Sequence, residues 1–341
     1  MLFFLMLAFS LAAQDWSGVE RVVAVGDVHG DFDQFVAVLR SAGVVDSRNR
    51  WTGGKTHLVQ TGDVLDRGPD SRKAMELLMS LERPAQRAGG RVHALIGNHE
   101  AMNIYGDLRY VAPAEYAAFQ TSGSEELRRR YYEQHLEQDG KAAAAARDDA
   151  AGYRRQWEQS RPLGWFEHRL AFSPEGKYGK WIVGHDAVVK INDAIFLHGG
   201  IGPKYASVPL NEINKIVQAS LKTLEKLDES GPVLDPEGPL WYRGLAQGNE
   251  TDLEPHVAAV LSNHNARMIV IGHTPTPGTV VPRFGGRVLM IDVGLSAAYN
   301  SRQACLIIEG GKPYSLNKGK KLAIPSEGGA ALQEYLREAL R

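Results

Sequence analysis

Short apolar runs that end in glycine and a polar cluster recur along the chain, and this recurrence constrains the fold more than any other feature of the sequence. Runs rich in Val, Ile and Leu are typical of buried strands, and the polar residues would then follow each strand at its C-terminal end. The six runs span residues 21–27, 56–63, 91–100, 194–200, 267–274 and 287–294.

Amphipathic helical patterns separate the first of these runs. Residues 31–43 place Phe35 and Leu39 on one helical face and begin with Asp31, a residue suited to capping a helix N-terminus. A second helical pattern spans residues 69–82 and begins with Pro69 and Asp70. Strands and helices in alternation predict an α/β fold with its site beyond the ends of the strands.

Three later segments have their own composition. Residues 107–160 are charged and alanine-rich with a sparse apolar face, and we interpret them as a helical insertion over or beside the core. Residues 230–244 are rich in Gly and Pro and predict a long ordered loop. Residues 313–341 predict a peripheral tail with a flexible segment and a short C-terminal helix, in which Tyr335 and Ala339 share one face.

The start of the chain predicts export. Residues 1–13 are almost wholly apolar and contain Ser10-Leu11-Ala12, a small-x-small pattern suited to a signal peptidase. We therefore expect a periplasmic or secreted protein without stable membrane insertion once the signal is removed. The alternative is an apolar N-terminal element packed on the domain. No later stretch approaches the roughly 18 apolar residues of a transmembrane helix.

Charge and cysteine content exclude several classes of protein. The 39 basic residues balance 40 acidic ones, so no overall field favours a nucleic-acid partner. Cys305 is the only cysteine, which excludes an internal disulfide and a cysteine-based zinc cluster. Its apolar surroundings predict an inert buried thiol. The oligomeric state is left open by the sequence.

Five of the strand ends offer oxygen and nitrogen ligands and no sulfur. Asp27 and His29, taken alone, are more typical of an ordinary turn. The other four ends change that interpretation, because mixed carboxylate, amide and imidazole groups suit Mn²⁺, Fe²⁺ or Zn²⁺, and a carboxylate can bridge two such ions. The residues at these ends are Asp63, Asp66 and Arg67, then Asn98, His99 and Glu100, then His198, and last His273. Together they predict a two-metal site.

The motifs "GDVHG", "GDVLDRG", "GNHE", "HGG" and "GHT" occur in the order and approximate spacing of a known family. They resemble the calcineurin-like metallophosphoesterases, in the phosphoprotein phosphatase branch. The "LWYRG" stretch and the signal-like start are most similar to the bacterial-type Shewanella-like protein phosphatases. The resemblance implies a catalytic domain over residues 20–312, built as a four-layer α/β/β/α sandwich with two mixed sheets flanked by helices.

By the same resemblance, six side chains would hold two divalent or trivalent ions, with Mn favoured in vitro and Fe or Zn as alternatives. They are Asp27, His29 and Asp63 for the first ion, and the bridging Asp63 with Asn98, His198 and His273 for the second. A hydroxide held between the two ions would attack phosphorus in line with the leaving oxygen.

The resemblance also implies roles for residues that do not hold metal. His99, oriented by Asp66, would protonate the leaving oxygen as the general acid. Arg67 would bind two phosphate oxygens with its planar fork of donors, and Asn98 would contact the phosphate as well. Arg243 in "WYRG" is a candidate for a second phosphate contact, with a salt bridge or aromatic stacking as the alternative.

For six of the histidines outside the motifs, we expect structural roles. They are His57, His93, His168, His185, His256 and His264.

The sequence thus predicts a two-metal phosphomonoesterase that acts on a phosphorylated protein, peptide or small phosphoester, with phosphotyrosine suggested by the Shewanella-like relatives. A hydrolase of dinucleoside polyphosphates or other small phosphoanhydrides is an alternative, because it would use the same motifs. A non-enzymatic metal-binding interaction protein is a third hypothesis. It would predict the loss of at least one catalytic position, and every expected position is present.

Overall fold

The computed structural model describes residues 16–224 and 227–341, so the predicted export signal at residues 1–13 lies outside the described residues. Two mixed β-sheets form the centre of the fold. The strands of the first sheet, in spatial order, are β11 (Lys320–Ala323), β10 (Lys312–Asn317), β9 (Ala304–Glu309), β1 (Arg21–Val25), β2 (His57–Gln60) and β3 (Arg91–Ala94). Those of the second are β4 (Val188–Ile191), β5 (Ala194–Leu197), β6 (Met268–Ile271), β8 (Val288–Met290) and β7 (Val281–Arg283).

Helices connect and cover these strands. They are α1 (Phe32–Ser41), α2 (Ser71–Arg87), α3 (Asn98–Tyr105), α4 (Pro113–Ala117), α5 (Ser124–Gln138), α6 (Gly140–Asp148), α7 (Ala150–Ser160), α8 (Trp165–Phe172), α9 (Lys177–Val183), α10 (Leu210–Lys222), α11 (Gly244–Gln247), α12 (Glu250–Asn263) and α13 (Ala330–Ala339), with a 3₁₀ turn at Pro203–Tyr205.

The two faces of each sheet have different neighbours. Along β1, Val22 and Ala24 join a core that also contains Phe196 and Val270 of the second sheet, so these side chains lie between the sheets. The alternate residues of β1 join a second core together with residues of α1 and α2. This alternation is the period of two of a β-strand. The predicted α/β/β/α sandwich is confirmed.

β1 is central to the first sheet. It pairs in parallel with β2 and antiparallel with β9, so a strand near the start of the chain lies between an early strand and a late one. The loop after β1 leads into α1, whose N-terminus is capped by the Asp31 carboxylate, which accepts a hydrogen bond of 3.2 Å from the Gln34 amide. This is the capping residue expected from the sequence.

The end of the chain differs from the predicted peripheral tail. β10 pairs with β9 along six residue pairs, and β11 pairs with β10, so residues 312–323 complete the first sheet. Tyr335 and Ala339 of α13 are buried, and the Tyr335 hydroxyl donates to the carbonyl of Val280 at 2.7 Å. The final segment therefore belongs to the body of the fold.

The helical stretch in the middle of the chain is longer than the interval 107–160. α4 to α7 lie within that interval, and α8 and α9 continue the helical stretch to Val183. Within the described residues, no helix combines the length and apolar character needed to cross a membrane.

Candidate functional site

The candidate site lies where the carboxyl ends of strands from both sheets converge. β1, β2, β5 and β6 deliver side chains there from loops or from the first residue after the strand, and the N-terminus of α3 supplies more. The structure brings together all of the predicted metal ligands, namely Asp27, His29, Asp63, Asn98, His198 and His273, and every one of them is buried. Their roles as ligands remain predictions.

The carboxylate of Asp63 is at the centre of the cluster. Its Oδ2 lies 3.2 Å from Nε2 of His198, and 3.8 Å from Nε2 of both His29 and His99. Two groups of three residues could each hold a cation and share this carboxylate. They are His29, Asp63 and His99, and then Asp63, His198 and His273.

The Nδ1 contacts of His29 and His198 orient these two imidazoles toward the Asp63 carboxylate. Nδ1 of His29 lies 3.0 Å from the Leu65 carbonyl, and Nδ1 of His198 lies 3.0 Å from the Thr61 carbonyl. If each Nδ1 donates its proton to the carbonyl, each Nε2 presents a lone pair to the site. Nε2 of His198 also lies within 3.0 Å of both Asn98 Oδ1 and His273 Nδ1, a crowding that a shared cation would explain.

Burial keeps two of these imidazoles neutral, as metal ligation requires. Desolvation lowers the pKa of His29 to about 3 and that of His273 to about 2. Nε2 of His273 is buried and has no hydrogen-bond partner among the described residues.

Carboxylates accumulate negative charge at the same place. Burial and the neighbouring carboxylates of Asp292 and Asp63 raise the pKa of Asp27 well above its usual range. Burial raises the pKa of Asp292 to about 6. Burial also acts to raise the pKa of Asp63. The imidazoles around this carboxylate outweigh that effect and hold its pKa well below the usual range. The donor set and the excess of buried carboxylates both fit divalent cations.

His99 is paired with Asp66 at the edge of this cluster. Nδ1 of His99 lies 2.6 Å from Asp66 Oδ2, and the other oxygen of Asp66 accepts a hydrogen bond of 3.0 Å from the Asn103 side chain. Burial acts to lower the pKa of His99, but Asp63 and Asp66 outweigh it and raise that pKa. A protonated imidazole with Nε2 directed to the site is the arrangement that a general acid needs.

The backbone at the site is held in an uncommon conformation. His29, Asp63, Asp66, Arg67 and His273 have φ between 46° and 70°, in the left-handed region that costs non-glycine residues about 1–3 kcal/mol each. Such strain persists only where the surrounding contacts fix the backbone.

Glu100, buried on α3, supplies several of the contacts that fix this backbone. Its carboxylate accepts hydrogen bonds from the backbone amides of Asp63 at 2.7 Å, Val64 at 2.9 Å and Gly97 at 2.8 Å.

Two glycines allow backbone and ligands to approach closely. A Cβ added to Gly97 would lie 2.4 Å from Asp63 Oδ1, and one added to Gly272 would lie 2.5 Å from Asp27 Oδ1. Real Cβ atoms do not approach oxygen this closely, so a larger residue at either position would displace a predicted ligand.

The two predicted phosphate-binding arginines are in different environments. Arg67 is exposed beside the rings of Tyr110 and Tyr299, with its guanidinium carbon 4.7 Å and 5.3 Å from their centroids. Arg243 donates from one terminal nitrogen to the His273 carbonyl at 2.7 Å and to the Thr274 hydroxyl at 3.0 Å. Arg243 thus lies against the turn that carries a predicted ligand.

Several residues at the site were not found by sequence reasoning. Asp292 lies within the run 287–294, two residues after the end of β8, but its carboxylate was not assigned to the site. Asn103 lies one helical turn after His99, a spacing that could have indicated the contact with Asp66. Tyr110 and Tyr299 carry no local signal, because only the folded chain brings them to Arg67.

The other histidines have contacts away from the site. Nε2 of His93 lies 3.0 Å from Nδ1 of His57, and His168 packs against Phe119 and Phe172. Nε2 of His185 lies 3.0 Å from Glu82, and Nε2 of His256 lies 2.7 Å from the Ile201 carbonyl. His264 caps the end of α12. Cys305 is buried in β9, and burial raises the pKa of its thiol to about 12.

Comparison with known proteins agrees with this geometry. Residues 20–277 match the calcineurin-like phosphoesterase family. The chain belongs to that family. This phosphoesterase is 35% identical over 298 residues to an uncharacterised protein of Schizosaccharomyces pombe, covering 84% of this chain and 76% of that protein. It is 30% identical over 289 residues to Shewanella-like protein phosphatase 2 of Arabidopsis thaliana, covering 81% and 72% of the two chains.

A solved structure is similar over almost the whole phosphoesterase chain. The crystal structure of a cold-active protein-tyrosine phosphatase from a psychrophilic Shewanella species superimposes with a TM-score of 0.69 at 28% identity, covering 92% of this chain and 82% of that one. Family, relatives and fold together support a hydrolase of the metallophosphoesterase type, and the two groups of buried His and Asp residues could each hold a metal ion.

Proposed function

We propose that this phosphoesterase is a phosphoric monoester hydrolase of the protein phosphatase type, and that phosphotyrosine in a protein or peptide is its preferred substrate. The observation that carries the proposal is the position of His99: its imidazole pairs with Asp66 on one side and faces Asp63, the carboxylate shared by both ligand groups, on the other. The names of the Arabidopsis and Shewanella relatives support the protein-phosphatase class.

The six predicted ligands would hold two cations, with manganese, iron or zinc as the candidate metals. Bound cations would supply Lewis-acid activation of water and would neutralise charge on the phosphoryl oxygens. The side chains of the protein would position the ester beside them.

Arg67 would bind phosphoryl oxygens with two parallel donors. Asn98 would add a further donor, because among the described residues its side-chain nitrogen makes only a long contact of 3.7 Å with the sulfur of Met102. Arg243 would approach from the side of His273. Nε2 of His99 would give its proton to the leaving oxygen, while Asp66 holds the opposite nitrogen and stabilises the imidazolium.

A substrate panel tests the proposal. The full chain, stripped of metal and reloaded with Mn²⁺, is assayed on a phosphotyrosine peptide, a phosphoserine peptide of the same sequence and diadenosine tetraphosphate. We expect the fastest turnover on the phosphotyrosine peptide. Turnover of diadenosine tetraphosphate alone would contradict the protein-phosphatase class, and faster turnover of the phosphoserine peptide would contradict the tyrosine preference.

Two matched variants test the metal requirement. Asp63→Asn removes the shared carboxylate, and we expect a loss of at least about 10²-fold in turnover. Asp33→Asn makes the same chemical change at an exposed position on α1 and should retain activity. Undiminished turnover in Asp63→Asn would contradict the two-metal site. Metal binding without hydrolysis of any phosphate ester would favour a non-enzymatic interaction protein.

We also propose that the protein is exported to the periplasm or secreted, on the basis of the apolar residues 1–13. Fractionation of cells that express the full chain, with N-terminal sequencing of the recovered protein, tests this. We expect the mature N-terminus to follow the Ser10-Leu11-Ala12 pattern closely. Recovery of the intact chain from the cytoplasm would contradict export.

A further inference from the structure

Arg67 lies between two tyrosines that come from distant parts of the chain. Tyr110 belongs to the segment between α3 and α4, and Tyr299 to the segment between β8 and β9. The guanidinium of Arg67 is close enough to both rings for cation–π attraction. Among the residues that the structure describes, this guanidinium has no hydrogen-bond acceptor and no ion-pair partner.

Each of the two tyrosines packs beside a different histidine of the site. The ring centroid of Tyr110 is 5.1 Å from that of His99, the proposed general acid. The centroid of Tyr299 is 5.5 Å from that of His29, a predicted metal ligand. A leaving oxygen that takes its proton from His99 would bring the body of the leaving group within reach of Tyr110.

Tyr110 is both exposed and held in place. Its side chain is 38% exposed, an unusual exposure for a large ring at the border of a buried cluster. Its carbonyl accepts a hydrogen bond of 2.9 Å from the amide of Arg67. Shortly after it, the buried carboxylate of Glu115 accepts hydrogen bonds of 3.0 Å from the amides of Ser71 and Arg72 at the start of α2. The segment that carries Tyr110 is thus bound to the turn that carries Asp66 and Arg67.

A fixed ring beside the leaving group discriminates between ester classes. In an aryl ester the leaving oxygen is attached directly to an aromatic ring, which can stack on Tyr110 or meet its edge. In an alkyl ester such as phosphoserine, a single methylene separates the oxygen from the peptide backbone, and no ring reaches Tyr110.

We propose that Tyr110 is a specificity-determining residue whose exposed ring packs against the aromatic leaving group of aryl phosphate monoesters and so favours them over alkyl esters. This inference rests on the proposed function, because it assigns the Tyr110 side of the site to the leaving group.

The test compares ester classes in three variants of the full chain. Tyr110→Ala should lower kcat/KM for phenyl phosphate and for a phosphotyrosine peptide about 3- to 10-fold more than for glycerol phosphate and for a phosphoserine peptide. A loss through Arg67, which would affect both ester classes alike, cancels in this ratio. Tyr110→Phe keeps the ring and should keep the preference. Tyr110→Leu is apolar without a ring and should lose most of it.

Tyr299→Ala is the matched contrast. Tyr299 also contacts Arg67, but its ring packs beside that of His29, the predicted ligand. Its loss should weaken the hydrolysis of both ester classes by similar factors through Arg67. Equal effects of Tyr110→Ala on both classes, or loss of the preference in Tyr110→Phe, would overturn the proposal.

Two measurements separate this proposal from the failure of the proposed function. Small esters report the aryl preference even if phosphopeptides are not substrates. Titration with phenylphosphonate and methylphosphonate reports the aryl preference even without turnover. The wild-type chain should bind phenylphosphonate more tightly than methylphosphonate, and this difference in affinity should be smaller in Tyr110→Ala. Equal affinity for the two compounds, or binding of neither, would overturn the inference.

Discussion

Asp66 connects the proposed proton donor to the turn that carries Arg67. Its carboxylate contacts His99 and Asn103, and its backbone amide donates to the Ser71 hydroxyl at 3.1 Å. The carboxylate of Asp66 thus fixes the tautomer of the imidazole, and the backbone amide of the same residue helps to hold the turn. At the scale of single residues, orientation and proton transfer depend on the same side chain.

Asp66→Asn should reveal the role of His99 through the leaving group. The amide cannot stabilise an imidazolium as the carboxylate does, so turnover of a phosphoserine peptide should fall about 10²-fold or more. Turnover of nitrophenyl phosphate should fall much less, because its leaving group needs little protonation. Asp70→Asn is the matched control, since Asp70 pairs with Lys73 at the surface. Equal losses for both esters would argue against a proton donor.

Glu100→Gln should destabilise the fold around the ligands. The carboxylate accepts hydrogen bonds from the amides of Asp63, Val64 and Gly97, and a glutamine would direct an N–H toward some of these donors. We expect a loss of about 1–3 kcal/mol in the free energy of unfolding, measured by denaturant titration. Glu133→Gln, on the exposed face of α5, should change it by less than about 0.5 kcal/mol. An unchanged midpoint in Glu100→Gln would contradict this role.

At the scale of elements, α8 is attached to the fold by an aromatic cluster with a histidine at its centre. His168 contacts the rings of Tyr116, Phe119 and Phe172, and its Nδ1 is buried without a hydrogen-bond partner among the described residues. Burial lowers the pKa of this imidazole from 6.5 to about 3. The helix is therefore packed around a neutral histidine that resists protonation.

His168 should contribute to acid destabilisation. Between pH 6.5 and about 3 the unfolded chain binds a proton at this residue and the folded chain does not, so stability is fully present above pH 6.5 and falls as the pH is lowered. The slope should approach about 1.4 kcal/mol per pH unit. His168→Phe should reduce the slope of the free energy of unfolding against pH by about this amount, measured by urea unfolding from pH 7 to 5. His135→Phe, half-buried on α5, provides the reference slope, and identical slopes in both variants would refute the assignment.

Strands with a buried apolar run and polar residues at the C-terminal end were predictable from the sequence, whereas partly exposed strands were not. The ends of β1, β2, β5 and β6 carry the ligands as expected, because burial on both faces leaves a recognisable apolar run. β10 and β11 have partly exposed and charged residues, and each is a strand through its pairing with a neighbour, β10 with β9 and β11 with β10. Pairing between distant segments leaves no local pattern.

The same distinction applies within the site. Asp27, His29 and Asp63 were found because each follows a strand in a compact motif, whereas Tyr110 is brought to Arg67 by the fold of the segment after α3. In the run 91–100, the sequence predicts a strand with polar residues at its C-terminal end. β3 ends at Ala94 and α3 begins at Asn98, so His99 is presented by a helix. The strand-to-helix change depends on Glu100 reaching the turn after β2, which is a tertiary contact.

At the scale of the whole molecule, the last strands are as necessary as the first. Leu306 and Ile308 of β9 are buried between the two sheets, next to Val22 and Ala24 of β1. Without β9, the strand that precedes Asp27 would lose one of its two neighbours and part of its packing.

Two truncations should separate these contributions. A chain that ends at Gln303 lacks β9 to β11 and should fail to fold cooperatively, as monitored by circular dichroism and thermal melting. A chain that ends at Gly329 lacks α13 and should fold with a stability lower by about 1–3 kcal/mol, because the Tyr335 hydrogen bond and its burial are lost. A cooperative transition in the shorter chain would refute the dependence on β9.

The position of β1 between β2 and β9 also determines the order in which the predicted ligands can assemble during synthesis. Asp27 and His29 follow β1 directly, whereas β9 ends at Glu309, far along the chain. These two predicted ligands therefore emerge from the ribosome well before one of the two neighbours of β1 is available. A cation that binds only the assembled cluster would be bound after β9 has paired with β1.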